Sequence, residues 1–250
     1  MALETQGSPL TPELTLPPPF TLVRLRELGD AFAHAKAVAR EQGAGTLVYV
    51  GRFDLAEFAV VLEPDEPLRL ARRAFYAGMV ALADALTAHA QPETAITIDW
   101  PDSISVNHGL VGGGRLAWPQ GTGEDETPPW LVFGAMIRTV SMTGSEPGLN
   151  PLVTTLEEEG FTDAMSDHVV ESFARHFMTA IDAWQEHGFG AVARSYLERL
   201  PVEQSLRRDI DENGDLLIRR MGRPEVARQK FLPRLAKPAW FDPVAKGPRA

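Results

Sequence analysis

The feature that most limits how this chain folds is Gly112-Gly113-Gly114, set inside the run Leu110-Val111-Gly112-Gly113-Gly114-Arg115-Leu116. Three consecutive residues without a Cβ are poor helix formers, and in a strand they strip both faces of side chains. Two expectations follow, and the residues alone do not choose between them. The triplet is either the bulged strand of a β-hairpin or a bare strip of backbone whose N–H groups serve a ligand. Arg115, the next residue, could neutralise a carboxylate or a phosphate there.

The surrounding pattern predicts an α+β chain. Residues 96–100, 104–106 and 110–118 read as strands joined by the turn-prone Pro101-Asp102 and Asn107-His108-Gly109. Residues 46–50 and 58–62 are β-branched and apolar, and 130–142 is a longer strand candidate. Helical spacing of Leu28, Ala31, Phe32, Ala35, Val38 and Ala39 predicts a helix over 26–42, stopped by Gly43 and Gly45. Further helices are predicted over 68–88, 163–188 and 191–200, with loops at 120–129 and 144–151. Beyond Pro201, residues 206–210 and 215–219 flank Asp211-Glu212-Asn213-Gly214, a hairpin signature. The expected organisation is a Pro-rich extended arm over 1–20, a main domain over 21–201 and a small β-rich unit over 202–250. Mixed element order with short turns argues for α+β and against a doubly wound sheet.

Composition removes several functions. A formal charge of −10 makes a poor non-specific nucleic-acid binder. The absence of cysteine excludes a disulfide framework, a thiolate metal site and a cysteine nucleophile. The first twenty residues hold Glu4, Glu13 and several prolines but no basic cluster, unlike a signal peptide. No apolar run approaches the roughly 20 residues that span a bilayer. A cytoplasmic protein without membrane association is expected. Only Lys36, Lys230, Lys237 and Lys246 are lysines among the 24 basic residues. The lysine-free stretch between Lys36 and Lys230 excludes Schiff-base chemistry and a phosphate-binding P-loop from the middle of the chain.

Weaker signals have bland readings. Asp209 to Asp215 imitates the start of a calcium loop, but Arg220 stands where a bidentate Glu is needed. His168 and His176 are eight apart, too far for a metal pair on one helical turn, and no metal site is expected. His108 lies in a turn near the glycine run. Glu157 to Glu159 reads as a solvated helix start, and Trp118 and Trp130 as covers of the sheet.

Taken in order, the stretch Trp100-Pro101-Asp102-Ser103, an apolar strand, a turn and Gly112-Gly113 resembles the biotin and lipoate protein ligase family, which carries Trp-Pro-Asn-Asp, a strand, a turn, then Lys, an apolar residue and a glycine pair. Leu28-Gly29 is similar to the family's Leu-Gly-Ser-Thr-Asn, and Gly51-Arg52 to its Gly-Arg-Gly-Arg loop. Residues 130–138 are similar to the strand ending Gly-Ile-Gly-x-Asn, and Thr154 to Gly160 to the Thr-Ser-Leu after it. Residues 173–200 and 210–217 resemble the last helices and the closing hairpin. The likeness spans about residues 21–219. It implies a ligase-like catalytic domain with a mixed, largely antiparallel sheet and flanking helices.

The resemblance also implies a function. ATP with Mg²⁺ would activate biotin, lipoate or octanoate, and the acyl group would pass to a lysine of a biotin carboxyl carrier or lipoyl domain. Arg115 and Arg52 would hold phosphate or carboxylate. Trp100, Asp102, Gly112, Gly113, Gly114 and Arg138 would line the small-molecule carboxylate, and a homodimer is compatible with this reading. The departures are specific. The family's lysine, used on the acyl-adenylate, is Leu110 here; its ring-contacting Ser-Thr-Asn is Asp30-Ala31-Phe32; its loop is cut to Gly51-Arg52-Phe53-Asp54; its terminal Asn falls near Arg138. A ligase-fold binding or regulatory module without adenylation, and an acyl-carrier-dependent lipoyl or octanoyl transferase, are the alternatives.

Overall fold

Gly43 closes the first helix by adopting φ +76°, and the turn it starts sets up the sheet. The computed structural model describes residues 14–142, 152–162 and 165–249. Most of the Pro-rich arm, the loop over 144–151 and the predicted start of the helix at 163 lie outside these residues. Seven strands form the main sheet: β1 (Thr21–Leu25), β2 (Thr46–Val50), β3 (Leu55–Leu62), β4 (Ile96–Asp99), β5 (Ser103–Val106), β6 (Gly109–Ala117) and β7 (Leu131–Arg138). Their order is β1-β2-β3-β7-β6-β5-β4. Only β1 and β2 pair in parallel; every other pair of these strands is antiparallel.

Helix α1 (Ala31–Gln42) covers one face, its Ala31, Ala35 and Ala39 packed on Val48, Val50, Ala59, Val61 and Val132. The other face carries α3 (Ala74–Thr87), α4 (Ser166–His187) and α5 (Phe189–Leu197) over the main core. Almost every residue of α3 is buried, as expected of a helix apolar on all sides. Phe133, Phe173 and Phe177 stack within this core with ring centroids 5.4 to 6.5 Å apart. Each fully buried ring of this kind contributes about 2 to 3 kcal/mol.

The structure departs from the sequence expectations at several points. The first helix begins at Ala31, not residue 26, because Asp30 caps it by accepting from Ala33 N–H at 2.8 Å. Leu28, placed on the buried stripe by spacing, is fully exposed. The unforeseen β1 precedes it. The helix predicted over 68–88 breaks into α2 (Leu68–Ala71) and α3. Glu157 to Glu159 lie in a turn, not a helix start, where Thr154 Oγ1 and Thr155 N–H donate to the carboxylates of Glu159 and Glu158. The loop over 120–129 is tied down by Arg72–Glu124 at 2.6 Å and Arg69–Asp125 at 3.0 Å.

After Pro201 come β8 (Leu206–Ile210), β9 (Leu216–Arg220) and β10 (Val226–Gln229) in one small sheet, then α6 (Phe231–Leu235) and the short hairpin of β11 (Phe241–Asp242) and β12 (Gly247–Pro248). Ile210, Leu216, Phe231 and Leu235 belong to the main core, and Tyr76 Oη donates to Gly214 O at 2.6 Å. Asp211 accepts from Asn213 and Asp215 N–H, a side-chain-braced turn.

Candidate functional site

The three glycines do three different jobs. A Cβ on Gly112, whose φ is +156°, would lie 1.9 Å from Met136 O, so this residue makes room for β7. A Cβ on Gly114 would meet Met79 Sδ at 2.6 Å on the helix-covered face. A Cβ on Gly113 would meet Asp102 O at 2.0 Å and Trp240 Cδ1 at 2.5 Å on the opposite face. The triplet does not offer the free N–H donors expected of it: β6 is bonded on both sides, and Gly114 N–H donates to Asp102 O at 2.9 Å. Close packing, not ligand access, explains Gly112 and Gly114. Gly113 is packed as closely but lies on the face of the candidate site, beneath Trp240.

On the Gly113 face, strand alternation brings Leu55 and Glu57 of β3, Met136 and Arg138 of β7, and Arg115 of β6 together. The Arg115 side chain is largely buried. Its guanidinium carbon lies 4.2 Å from the ring centre of Phe32 and 4.7 Å from that of Phe241, a two-sided cation–π clamp. Asp30 is 3.6 Å away, and Arg115 Nε is buried with no hydrogen-bond partner. Burial pulls this guanidinium below its ordinary pKa, opposed by Asp30 and Glu57.

Glu57 is a site residue the sequence reading missed. Its carboxylate, buried in the sheet, accepts from Ala31 N–H at 2.9 Å and so binds the start of α1 where the helix dipole favours negative charge. Burial nevertheless raises its pKa, with Ala31 N–H and Arg115 pulling the other way. The signal was present as one acid inside the apolar strand Leu55-Ala56-Glu57-Phe58-Ala59-Val60.

Asp102 is buried beside the same face. One carboxylate oxygen accepts from Ala239 N–H at 2.9 Å and the other from Ser103 Oγ at 3.1 Å. Burial raises its pKa to about 6, partly offset by those hydrogen bonds. Arg138 donates to the carbonyls of Pro248 and Arg249, while its Nη1 is buried without a partner. Burial lowers its pKa, Glu158 opposing. Arg52, in the β2–β3 loop, is held bidentately by Asp54 at 3.0 and 2.6 Å, which raises the arginine's pKa and lowers the acid's. Trp100 does not reach this face. It packs on the main core, and its Nε1 donates to Tyr76 Oη at 3.2 Å.

The site is covered by the C-terminal segment, which sequence reading left unassigned. Trp240 is fully buried over Gly113 and donates its Nε1–H to Gly114 O at 2.9 Å. With Leu55 and Met136 it forms a small cluster separate from the main core, and Leu110 and Phe241 pack against it. Leu110, the position where the resemblance calls for lysine, therefore sits on an apolar patch. Among the described residues no group of three His, Cys, Asp or Glu could hold a metal ion, and no helix is long and apolar enough to cross a membrane.

No curated protein matches the chain by sequence. Solved structures do match. A biotin protein ligase-like protein of unknown function from Silicibacter sp. TM1040 superposes with a TM-score of 0.75 at 26% identity, covering 89% of this chain and 99% of that one. The biotin protein ligase of Aquifex aeolicus gives 0.62 at 16% identity over 84% of this chain and 99% of its own. That of Leishmania major gives 0.53 at 14% over 85% and 99%. The likenesses to the two ligases are of fold. The model of the biotin/lipoate A/B protein ligase family matches residues 16–198. Most of the chain thus carries the family's pattern, and the protein belongs to the biotin/lipoate A/B protein ligase family.

Proposed function

We propose that this protein is a ligase-fold binding module: it takes a small carboxylate of the biotin, lipoate or octanoate class at Arg115 and does not activate it with ATP. The observation that carries this reading is Leu110, packed with Leu55, Met136, Trp240 and Phe241 where the resemblance places an ammonium. Adenylate formation builds negative charge on the transferring phosphate and needs a cation aimed at it. Arg52 is committed to Asp54.

The residues present do not fit ATP and Mg²⁺. Two of the nearby carboxylates are spent: Asp54 on Arg52 and Glu57 on Ala31 N–H. A carboxylate ligand fits better. Arg115 Nε and Arg138 Nη1 are buried donors without acceptors, and guanidinium groups bind carboxylates strongly. Leu55, Leu110 and Met136 beside them would receive a ring or an acyl chain.

Calorimetry with biotin, lipoate and octanoate, together with ATP–pyrophosphate exchange in the presence of each acid, tests the reading. Saturable binding without exchange is expected. Exchange above background with any of the three overturns it in favour of a ligase, with a carrier-domain lysine as acceptor. One observation supports that second reading: Arg52 and Arg115 both act electrostatically on Glu57, so two cations border one site.

A further inference from the structure

We infer that the C-terminal segment, Ala239 through Arg249, is an internal plug that competes with the ligand for the Arg115 face. The inference rests on the carboxylate-binding reading and adds how that site is closed and opened.

The segment occupies the groups that surround the proposed carboxylate site. Ala239 N–H occupies Asp102, Trp240 fills the space over Gly113 and bonds to Gly114 O, and Phe241 lies against the Arg115 guanidinium. The carbonyls of Pro248 and Arg249 occupy Arg138. Trp240 O accepts from Arg249 N–H at 2.7 Å, so the hairpin of β11 and β12 delivers both ends of the plug as one piece.

Three features make this piece detachable. The apolar cluster under Trp240 is small and not continuous with the main core, to which Phe231 and Leu235 of α6 anchor the chain just upstream. The hairpin strands are two residues each, and Val244 at their tip is exposed. Segments with few buried contacts open at lower free energy than the core. The cover is also chemically incomplete. It buries Arg115 Nε and Arg138 Nη1 yet gives neither an acceptor, and an unsatisfied buried donor is costly. A carboxylate supplies what the segment's neutral carbonyls and aromatic ring do not. Leaving the plug in place keeps the cationic site shut; an anionic ligand that satisfies Arg115 displaces it.

The test is amide hydrogen exchange on the full chain with and without saturating biotin or octanoate, the affinities being measured by calorimetry on the full chain and on Trp240→Ala. The plug predicts that either acid speeds exchange across residues 239–249 at least several-fold while α1 and β6 are unchanged or slowed. It also predicts that Trp240→Ala binds about ten-fold tighter, one such factor corresponding to about 1.4 kcal/mol. Binding that leaves exchange of 239–249 unchanged or slows it overturns the plug and leaves the binding reading standing. Absence of binding by both proteins overturns the binding reading and the plug with it. If Trp240→Ala does not fold, exchange on the unaltered chain still decides.

Discussion

Replacing Asp102 by asparagine should make the protein more stable at neutral pH and change how its stability depends on pH. Asp102 is buried, its pKa is raised from 3.8 to about 6, and burial is the leading cause. A raised pKa means the folded state holds the proton more tightly than the unfolded state. This group's contribution is therefore fully present below the unfolded pKa and is lost as pH rises through about 6. A shift of about two units corresponds to about 3 kcal/mol lost between mildly acidic and neutral solution. The side chain of Asp102→Asn carries no charge at any pH. Its oxygen still accepts from Ala239 N–H, and its amide donates to Ser103 Oγ, reversing the bond now made to the carboxylate. The assay is urea unfolding of both proteins from about pH 4 to about pH 7.5. The variant should gain about 2 to 3 kcal/mol relative to the parent across that range, rising most steeply near about pH 5, between the two pKa values, and levelling off above about 6. A difference that stays constant with pH, whatever its sign, refutes the assignment of a buried, charge-penalised carboxylate to this position.

Gly113→Ala would set a Cβ 2.0 Å from the Asp102 carbonyl, a backbone atom with nowhere to go, so chemical denaturation should show a loss of about 2 to 4 kcal/mol. Arg115→Ala should weaken calorimetric binding of biotin or octanoate at least ten-fold, about 1.4 kcal/mol, whereas Arg52→Ala, already engaged by Asp54, should change it little; equal losses would place the ligand elsewhere. Glu57→Gln keeps an acceptor for Ala31 N–H. Because burial raises the Glu57 pKa, the parent loses stability from this group as pH rises, and the variant should gain on it in the same direction as Asp102→Asn in the same urea series.

Local pattern exposed most of the fold. The strand Thr46–Val50 coincides with its apolar, β-branched run, and the Asn-Gly hairpin with β8 and β9. What escaped was non-local. The strand Thr21–Leu25 follows a Pro-rich stretch, carries Arg24 near its end and pairs in parallel with β2 across a whole helix, so neither alternation nor a turn signal betrays it. Helical spacing over residues 26–30 was real in the pattern but lost to the Asp30 cap. At the site, Arg115, Arg138 and Asp102 were nameable from motif order, and the structure gathers them. Trp100 was named on the same grounds and faces the core instead. Trp240 was beyond reach, because its partner Gly114 is 126 residues away and no sequence period connects them.

The missing lysine and the C-terminal plug are two sides of one physical arrangement. An ammonium at position 110 would border Leu55, Met136 and Trp240, and setting a charge against an apolar cluster is unfavourable. Leucine there removes that cost and lets the tryptophan seat over Gly113. The reverse exchange is informative. Leu110→Lys should loosen the plug, speeding exchange of residues 239–249, without restoring pyrophosphate exchange, since Asp54 stays on Arg52 and Glu57 on Ala31 N–H. Recovery of adenylation by that single change would show that the lysine alone was wanting, and would mean the site had kept its catalytic geometry beneath the plug.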